Sequence, residues 1–277
     1  MRGASLTNSS ANGTAPIAFL DSGVGGLPYL KWTRGLLPAE NYIYLADRKH
    51  FPYGPKQPEE IFQAVAECVS VFLKKFDPKL FVLACNTASV FALEKLRAEF
   101  PRKTFVGTVP AIKPAAEASR VKKIGVLATA GTLHAAYLDN LIERFAPGCA
   151  VVRLPGPDIV NFVEKRLFTA QPGEKRLIIA EAAARFREEA VDTVVLACTH
   201  FLYLLDEIHS ALGEGVRLID SREGVGRRVA EILSSENRQG AGEKTGSAKM
   251  YLSGGWPPEP QYEFFAGFFG IEAAGLL

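Results

Sequence analysis

An internal repeat is the feature of this 277-residue chain that most restricts its fold. Residues 80–87 read LFVLACNT and residues 193–200 read TVVLACTH, so each segment is an apolar run followed by a cysteine and polar residues. An earlier pair, IAFLDSG at 17–23 and IGVLATA at 124–130, is another apolar run that ends in small residues. Proteins of alternating strands and helices often share such patterns by chance. The common order of the two pairs nevertheless predicts two similar halves.

Apolar runs and helical patterns alternate through both halves. Residues 58–76 carry apolar side chains at three- and four-residue spacing, which predicts a helix, and a second helix is expected over Thr87–Phe100 with Asn86 as its N-cap. This alternation predicts an α/β fold of two pseudo-symmetric domains with mostly parallel sheets. Ligands of such sheets bind outside the carboxyl ends of the strands, so the active site is expected in the cleft between the domains. Strands are expected at 17–20, 42–45, 80–84, 123–128, 150–154, 193–197 and 216–219, with a late strand at 250–255 returning to the first sheet.

The composition excludes several classes of protein. Lys and Arg total 32 against 30 Asp and Glu, a formal net charge of +2, which argues against binding nucleic acid through a broad basic surface. No apolar run approaches the roughly 18–20 residues of a membrane helix. The polar N-terminus lacks the apolar stretch of a signal peptide, so we expect a cytoplasmic protein with reduced thiols and a disordered tail at residues 1–15.

Two of the four cysteines stand out by their position. Cys85 and Cys198 each follow a predicted strand and precede a predicted helix, where free N–H groups and the helix dipole favour a thiolate. Cys68 lies on an apolar helical face, and for it and Cys149 the interpretation is an inert small apolar residue. None of the four forms a C-x-x-C motif, which argues against a structural zinc ribbon.

Two thiols on opposite walls of one cleft suit proton transfer on both faces of one carbon. One thiolate removes a proton and the other thiol donates one, which inverts the stereocentre. Reacting atoms need about 3–3.5 Å of separation, so the sulfurs are expected roughly 7 Å apart, too far for a disulfide. The helix starts at Asn86–Thr87 and Thr199–His200 are candidate donors to the substrate carboxylate. Asp21 is a candidate for holding a substrate ammonium, and Asp21 or His200 for tuning the thiols.

The remaining motifs carry less information. The sequence DSGVGG at 21–26 predicts a tight anion-binding turn without a nucleotide, because Pro28 replaces the third glycine of G-x-G-x-x-G and the P-loop lysine is missing. No Schiff-base lysine or flavin fingerprint stands out, so a reaction without cofactors is favoured. Glu164 lies on a predicted helix and, taken alone, is expected on a solvated face.

Four motifs, taken in order, resemble those of the glutamate racemases: DSGVGG at 21–26, PYG at 52–54, CNTAS at 85–89 and CTH at 198–200. The resemblance runs from about Ile17 to the C-terminus. It implies a cofactor-independent two-thiol racemase that makes D-glutamate for bacterial peptidoglycan. It also implies Cys85 and Cys198 as the acid–base pair, assisted by Asp21, His200 and Glu164. The substrate contacts that it implies are Asp21, Ser22, Tyr53, Gly54, Asn86, Thr87, Thr129, Thr132, Thr199 and His200.

The resemblance, together with the repeat, also predicts domain boundaries. The first domain is expected to combine residues 16–109 and 221–277, and the second to span residues 110–220. Ser89 and His200 follow the pattern of glutamate racemases rather than that of aspartate racemases, so glutamate is the expected substrate. The chain departs from the family pattern in ways that affect the shape of the pocket, at Ala46, Ala197, Phe201–Leu202 and residues 153–157.

Other functions stay open. One is an aspartate or other amino-acid racemase of the same family. Another is a zinc hydro-lyase whose ligands would be Asp21, Cys85, Cys198 and His200. A third is a non-catalytic protein that contacts a partner through the polar segment 234–247, a predicted loop. The favoured interpretation involves glutamate and no metal, nucleic acid or membrane, and leaves a homodimer open. Phe264, Phe265, Phe268 and Phe269 are expected to form the packing face of a C-terminal helix.

Overall fold

The computed structural model describes residues 14–240, 245–255, 257 and 259–277. Most of the tail expected at residues 1–15 lies outside this part of the chain. The described residues form two β-sheets in which all neighbouring strands are parallel. The first sheet contains β1 Ile17–Asp21, β2 Tyr42–Ala46, β3 Leu80–Leu83, β4 Phe105–Gly107, β9 Ala248–Leu252 and β10 Glu272–Leu276. The second contains β5 Lys123–Ala128, β6 Ala150–Pro155, β7 Thr193–Ala197 and β8 Arg217–Ile219.

The two sheets repeat one strand order. The first sheet runs β10-β9-β2-β1-β3-β4 and the second runs β6-β5-β7-β8, so the order 2-1-3-4 occurs in both. The repeated sequence segments occupy equivalent strands, β1 with β5 and β3 with β7. The predicted α/β fold of two pseudo-symmetric halves with parallel sheets is therefore confirmed. The two sheets divide the strands as the predicted domains do, although the boundaries at 109 and 220 stay a prediction.

Helices connect the strands, as parallel sheets require. Helix α2 begins with a proline at its first position, and the Gln57 N–H donates to the Glu60 carboxylate at 2.9 Å, which satisfies one free donor of the first turn. Short 3₁₀ turns lie at Arg48–His50 and Thr199–Leu204. The α-helices are α1 Leu27–Leu36, α2 Pro58–Lys75, α3 Asn86–Glu99, α4 Ile112–Ala118, α5 Ala130–Leu133, α6 Ala136–Phe145, α7 Pro157–Arg166, α8 Pro172–Glu188, α9 Leu205–Leu212, α10 Arg222–Ser235 and α11 Gln261–Phe269.

One apolar cluster joins the two sheets. It contains Phe19 and Tyr44 of the first sheet together with Leu196 and Phe201 of the second half, all buried. The opposite face of the first sheet, with Leu20, packs in a separate cluster under α2 and α3. Because buried side chains pack densely, this shared core fixes the carboxyl ends of the two sets of strands relative to each other.

Several local expectations were wrong by a few residues. Cys85, not Asn86, is the N-cap of α3, so the helix begins one residue earlier than expected. Helix α10 continues to Ser235, so the loop expected at 234–247 starts inside a helix, and residues 241–244 lie outside the described part of the chain. Strands β4 and β10 were not predicted. The first has only three residues, and the second reads EAAGL, which lacks the β-branched residues that favour strands.

The C-terminal aromatic residues do not all face the core. Phe265 on α11 is buried, but Phe264 and Phe268 are each 62% exposed. These two residues are four positions apart and therefore share one face of the helix, which points away from the core. No helix in the described residues has both the length and the hydrophobicity to span a bilayer.

Candidate active site

A cavity of about 200 Å³ lies where strand ends of the two sheets meet. Cys85 and Cys198 both line it, together with Ser22, Tyr53, Gly54, Asn86, Thr87, Thr129, Thr199 and His200. Three other predicted site residues, Asp21, Thr132 and Glu164, are buried behind this lining. The volume suits a small molecule of amino-acid size, since drug-sized ligands occupy about 300–1,000 Å³.

Cys85 follows β3, is the N-cap residue of α3 and lines the cavity. Burial raises the pKa of its thiol well above the usual value, and the negative charge of Asp21 adds to this effect. The N–H groups of Ala88 and Ser22 oppose the rise without reversing it. The helix start was expected to favour a thiolate. At Cys85 the effect of burial outweighs that of the helix start, so Cys85 rests as a thiol.

Cys198 follows β7 in the equivalent position of the second half, but the local structure differs. A 3₁₀ turn, Thr199–Leu204, comes after it, and the α-helix starts only at Leu205. The expectation of an α-helix directly after Cys198 was therefore wrong. The cysteine instead has a hydrogen bond with the His200 side chain.

His200 is a buried cation held between a thiol and a carboxylate. Its Nε2 lies 2.7 Å from Glu164 Oε1, and both side chains are 3% exposed. Burial lowers the pKa of His200, but hydrogen bonds to Cys198 and Glu164 and the charges of Glu164 and Asp21 outweigh it and raise the pKa well above the usual value. Cys198 thus lies beside a cation and Cys85 beside the Asp21 carboxylate, so the environments of the two cysteines differ.

The sequence placed Glu164 on a solvated helix face, and this expectation was wrong, because Glu164 is buried. Its Oε1 accepts from the Val24 N–H at 2.7 Å, so the predicted anion-binding turn holds a carboxylate of the chain itself. A Cβ at Gly23 would lie 1.9 Å from this same oxygen, which explains why glycine is needed at that point. The glycine turn of the first half and α7 of the second half thus meet at Glu164.

Asp21, the last residue of β1, is fully buried and tied to both halves. Its Oδ1 accepts from the Gly23 N–H at 2.7 Å, and its Oδ2 accepts from Thr199 Oγ1 at 3.0 Å. Burial raises the pKa of Asp21 to about 6, against the lowering effect of His200. Asp21 lies behind the cavity lining, so its contact with a substrate ammonium stays a prediction.

The polar lining of the cavity is partly unsatisfied. Asn86 is 3% exposed, and neither its Oδ1 nor its Nδ2 has a partner among the described residues. Buried amides are normally hydrogen-bonded, so this one is free for a ligand. Thr87 Oγ1 lies 3.2 Å from Thr129 Oγ1, which in turn donates to Thr132 Oγ1 at 3.0 Å. The threonines thus form a chain that reaches from the cavity into the second half.

Sequence reasoning missed part of the lining. Asn161 lies at the cavity, three residues before Glu164 on α7, and this helical spacing was the only signal that could have found it. Tyr53 lines the cavity, but its hydroxyl donates to Asp47 Oδ2 at 2.5 Å instead of facing a substrate. Ser89 does not line the cavity, because its hydroxyl donates to the Leu83 carbonyl at 3.1 Å. The remaining lining residues that were not predicted are Pro52, Pro55, Ala130 and Val160.

The geometry does not support the zinc alternative. A zinc ion needs its ligand atoms gathered closely around it. In the part of the chain that the structure describes, Asp21, Cys85, Cys198 and His200 do not supply three donor atoms within 4.8 Å of one another.

The comparisons with known proteins agree with this arrangement. Residues 29–223 match the Asp/Glu/Hydantoin racemase family. The chain belongs to this family. A glutamate racemase of Sphingopyxis alaskensis is 45% identical over 80% of this chain and 83% of its own length, and one of Shewanella woodyi is 39% identical over 87% and 89%.

Solved racemase structures extend the likeness to the whole fold. Escherichia coli glutamate racemase, in complex with L-glutamate and the activator UDP-MurNAc-Ala, has a TM-score of 0.82 at 35% identity. The match covers 95% of this chain and 98% of that one. A glutamate racemase isoform from Bacillus anthracis has a TM-score of 0.81 at 29% identity, with 95% and 97% covered.

Proposed function

We propose that this member of the racemase family interconverts L-glutamate and D-glutamate through two thiols, without a cofactor. The observation that carries the proposal is that Cys85 and Cys198, which end equivalent strands of the two halves, line one cavity. Relatives named glutamate racemase are 38–45% identical in sequence to this chain over most of its length. Together these findings favour racemisation over a binding function.

The environments of the two thiols suggest how they divide the reaction. Cys85 rests as a thiol because burial and the Asp21 charge disfavour its ionisation. Cys198 contacts the His200 imidazolium and is the proposed base for L-glutamate. Cys198 then removes the Cα proton from one face of the substrate, and the C–H electron pair passes into the carboxylate. Cys85 donates its proton to the opposite face, which completes the inversion.

The other residues support this exchange. Asn86, Thr87 and Thr199 offer hydrogen bonds to the carboxylate on which the charge develops. Glu164 holds His200 in its charged form, so these two residues position and tune Cys198. The resemblance assigns the L-enantiomer to Cys198 and the D-enantiomer to Cys85.

The wider role follows the family. We propose that the chain supplies D-glutamate for peptidoglycan synthesis in the cytoplasm, and that glutamate is preferred to aspartate. Homodimerisation stays a prediction.

Circular dichroism of glutamate incubated with the pure protein tests the activity. L-Glutamate and D-glutamate should each lose their ellipticity, in buffer with EDTA and without added cofactors. L-Aspartate should change much more slowly. Unchanged ellipticity of both glutamate enantiomers would contradict the proposal, as would equal specificity for aspartate. A hydro-lyase would instead produce an unsaturated acid that absorbs in the ultraviolet.

A further inference from the structure

A second cluster of chemically active side chains lies outside the cavity that holds the two thiols. The ligand atoms of Asp47, His50 and Cys68 all lie within 4.8 Å of one another. His50 Nδ1 is 2.8 Å from Asp47 Oδ2, and the Cys68 thiol is hydrogen-bonded to Asp47. Asp47 follows β2, His50 ends the 3₁₀ turn and Cys68 lies in α2, so three separate elements bring these groups together.

We propose that these three residues form a binding site for a zinc-like divalent cation. A thiolate, an imidazole and a carboxylate are the donors that zinc prefers, at about 2.0–2.3 Å. Ligands around a tetrahedral ion at those distances are roughly 3.3–3.8 Å apart, so the cluster needs only small side-chain shifts. A cavity of about 450 Å³ adjoins the three residues and leaves room for water as the fourth ligand.

The surroundings match the requirements of a metal-bound histidine. Glu67 Oε2 lies 3.7 Å from His50 Nε2, on the side of the ring away from Asp47. Metal-bound histidines usually direct their second ring nitrogen to a carboxylate, which fixes the ring. On metal binding the His50 ring proton moves to Nε2, and the Cys68 thiol proton, which is shared with Asp47, is released to solvent. Lys49 Nζ is 2.5 Å from Glu67 Oε1 and offsets one negative charge. The metal-bound site would hold three negative groups, Asp47, Glu67 and the Cys68 thiolate, so the two remaining charges balance a dication.

A hydrogen bond between the side chains of Asp47 and Tyr53 joins the proposed metal site to the substrate cavity. Asp47 Oδ2 accepts from the Tyr53 hydroxyl, and Tyr53 lines the cavity beside Gly54. A metal bound to that oxygen competes with the tyrosine hydroxyl. Occupation of the metal site should therefore change the KM for the amino-acid substrate more than kcat. This consequence rests on the proposed racemase activity, whereas metal binding itself does not.

Cobalt binding tests the site without reference to activity. The reduced protein, freed of metal with EDTA, is titrated anaerobically with CoCl₂, and the thiolate-to-cobalt charge-transfer band and the visible tetrahedral bands are recorded. One equivalent should bind, and ZnCl₂ should displace it. Cys68→Ser should abolish the charge-transfer band, while the matched control Cys149→Ser keeps it. The double variant Cys85→Ser/Cys198→Ser should also keep the band, which separates this site from the catalytic thiols.

A second pair of variants covers a failure of Cys68→Ser to fold. His50 is partly exposed, so His50→Gln should fold and should weaken cobalt binding by at least about tenfold, whereas the control His134→Gln should not. Absence of the band in the wild-type protein would overturn the proposal, as would an unchanged band in Cys68→Ser or unchanged affinity in His50→Gln. A zinc-dependent KM in the wild type that persists in Cys68→Ser would overturn the link to the cavity.

Discussion

The variant Asp21→Asn should be more stable than the wild type, by an amount that grows as the pH rises. The same substitution should impair the reaction. Burial, the largest cause, raises the pKa of Asp21 from its ordinary 3.8 to about 6. The stability that goes with such a raised pKa is fully present below pH 3.8 and is lost as the pH rises through 6. Asparagine does not ionise, so the variant escapes this loss. It can also keep an oxygen acceptor for the Gly23 N–H.

The size of the effect follows from the shift. One pKa unit corresponds to about 1.4 kcal/mol, so the variant should gain about 1–2 kcal/mol over the wild type at pH 5 and about 3 kcal/mol at pH 8. Urea unfolding of both proteins at the two pH values measures this difference. The exposed control Asp158→Asn should show no comparable dependence on pH. Because Asp21 is a proposed assisting group, racemisation should fall on the order of 10²-fold.

A difference that stays constant between pH 5 and 8 would refute the assignment of a costly buried carboxylate to Asp21. Wild-type activity in Asp21→Asn would show that the residue is structural only.

Three further substitutions test the parts of the site that the fold brings together. Glu164→Gln keeps both hydrogen bonds but removes the charge that raises the pKa of His200, so the decline of activity at high pH should begin at lower pH; an unmoved pH–rate profile would contradict this. Asn86→Ala removes an unpartnered buried amide, so KM should rise about 10–100-fold with no loss of stability; an unchanged KM would show that the amide does not bind substrate. Gly23→Ala places a Cβ against Glu164 and should cost about 1–3 kcal/mol in urea unfolding together with activity, whereas Gly35→Ala, with open space around it, should cost neither. Equal stability of the two alanine variants would refute the steric argument.

The α/β fold could be predicted because its signals are local. Apolar runs such as residues 80–83 become buried parallel strands, and the repeat of this run at 193–196 marks the pseudo-symmetry. Strand β10 could not be predicted, because EAAGL owes its conformation to pairing with β9 and not to its own side chains. The exposure of Phe264 was also invisible, since it depends on which face of α11 meets the core.

The site was predictable to the extent that its residues lie at strand ends. Cys85 and Cys198 follow strands in the sequence, and each parallel sheet brings such positions to its own carboxyl edge, where the cavity lies. The ion pair of His200 with Glu164 could not be derived, because the two residues are 36 positions apart and meet only through the packing of α7 against the 3₁₀ turn. Nor does the sequence reveal that Tyr53 directs its hydroxyl to Asp47 and away from the cavity.

The two-thiol mechanism is the central claim, and the single substitutions Cys85→Ser and Cys198→Ser test it most directly. Each should reduce racemisation in both directions by about 10²–10⁴-fold or more, because every turnover needs one base and one acid. Elimination from a glutamate analogue with a leaving group at C3 needs only the base on one side. Cys85→Ser should therefore retain elimination from the L-analogue, and Cys198→Ser from the D-analogue. If either variant racemises glutamate at close to the wild-type rate, or if both retain elimination from the same enantiomer, the two-thiol mechanism is wrong.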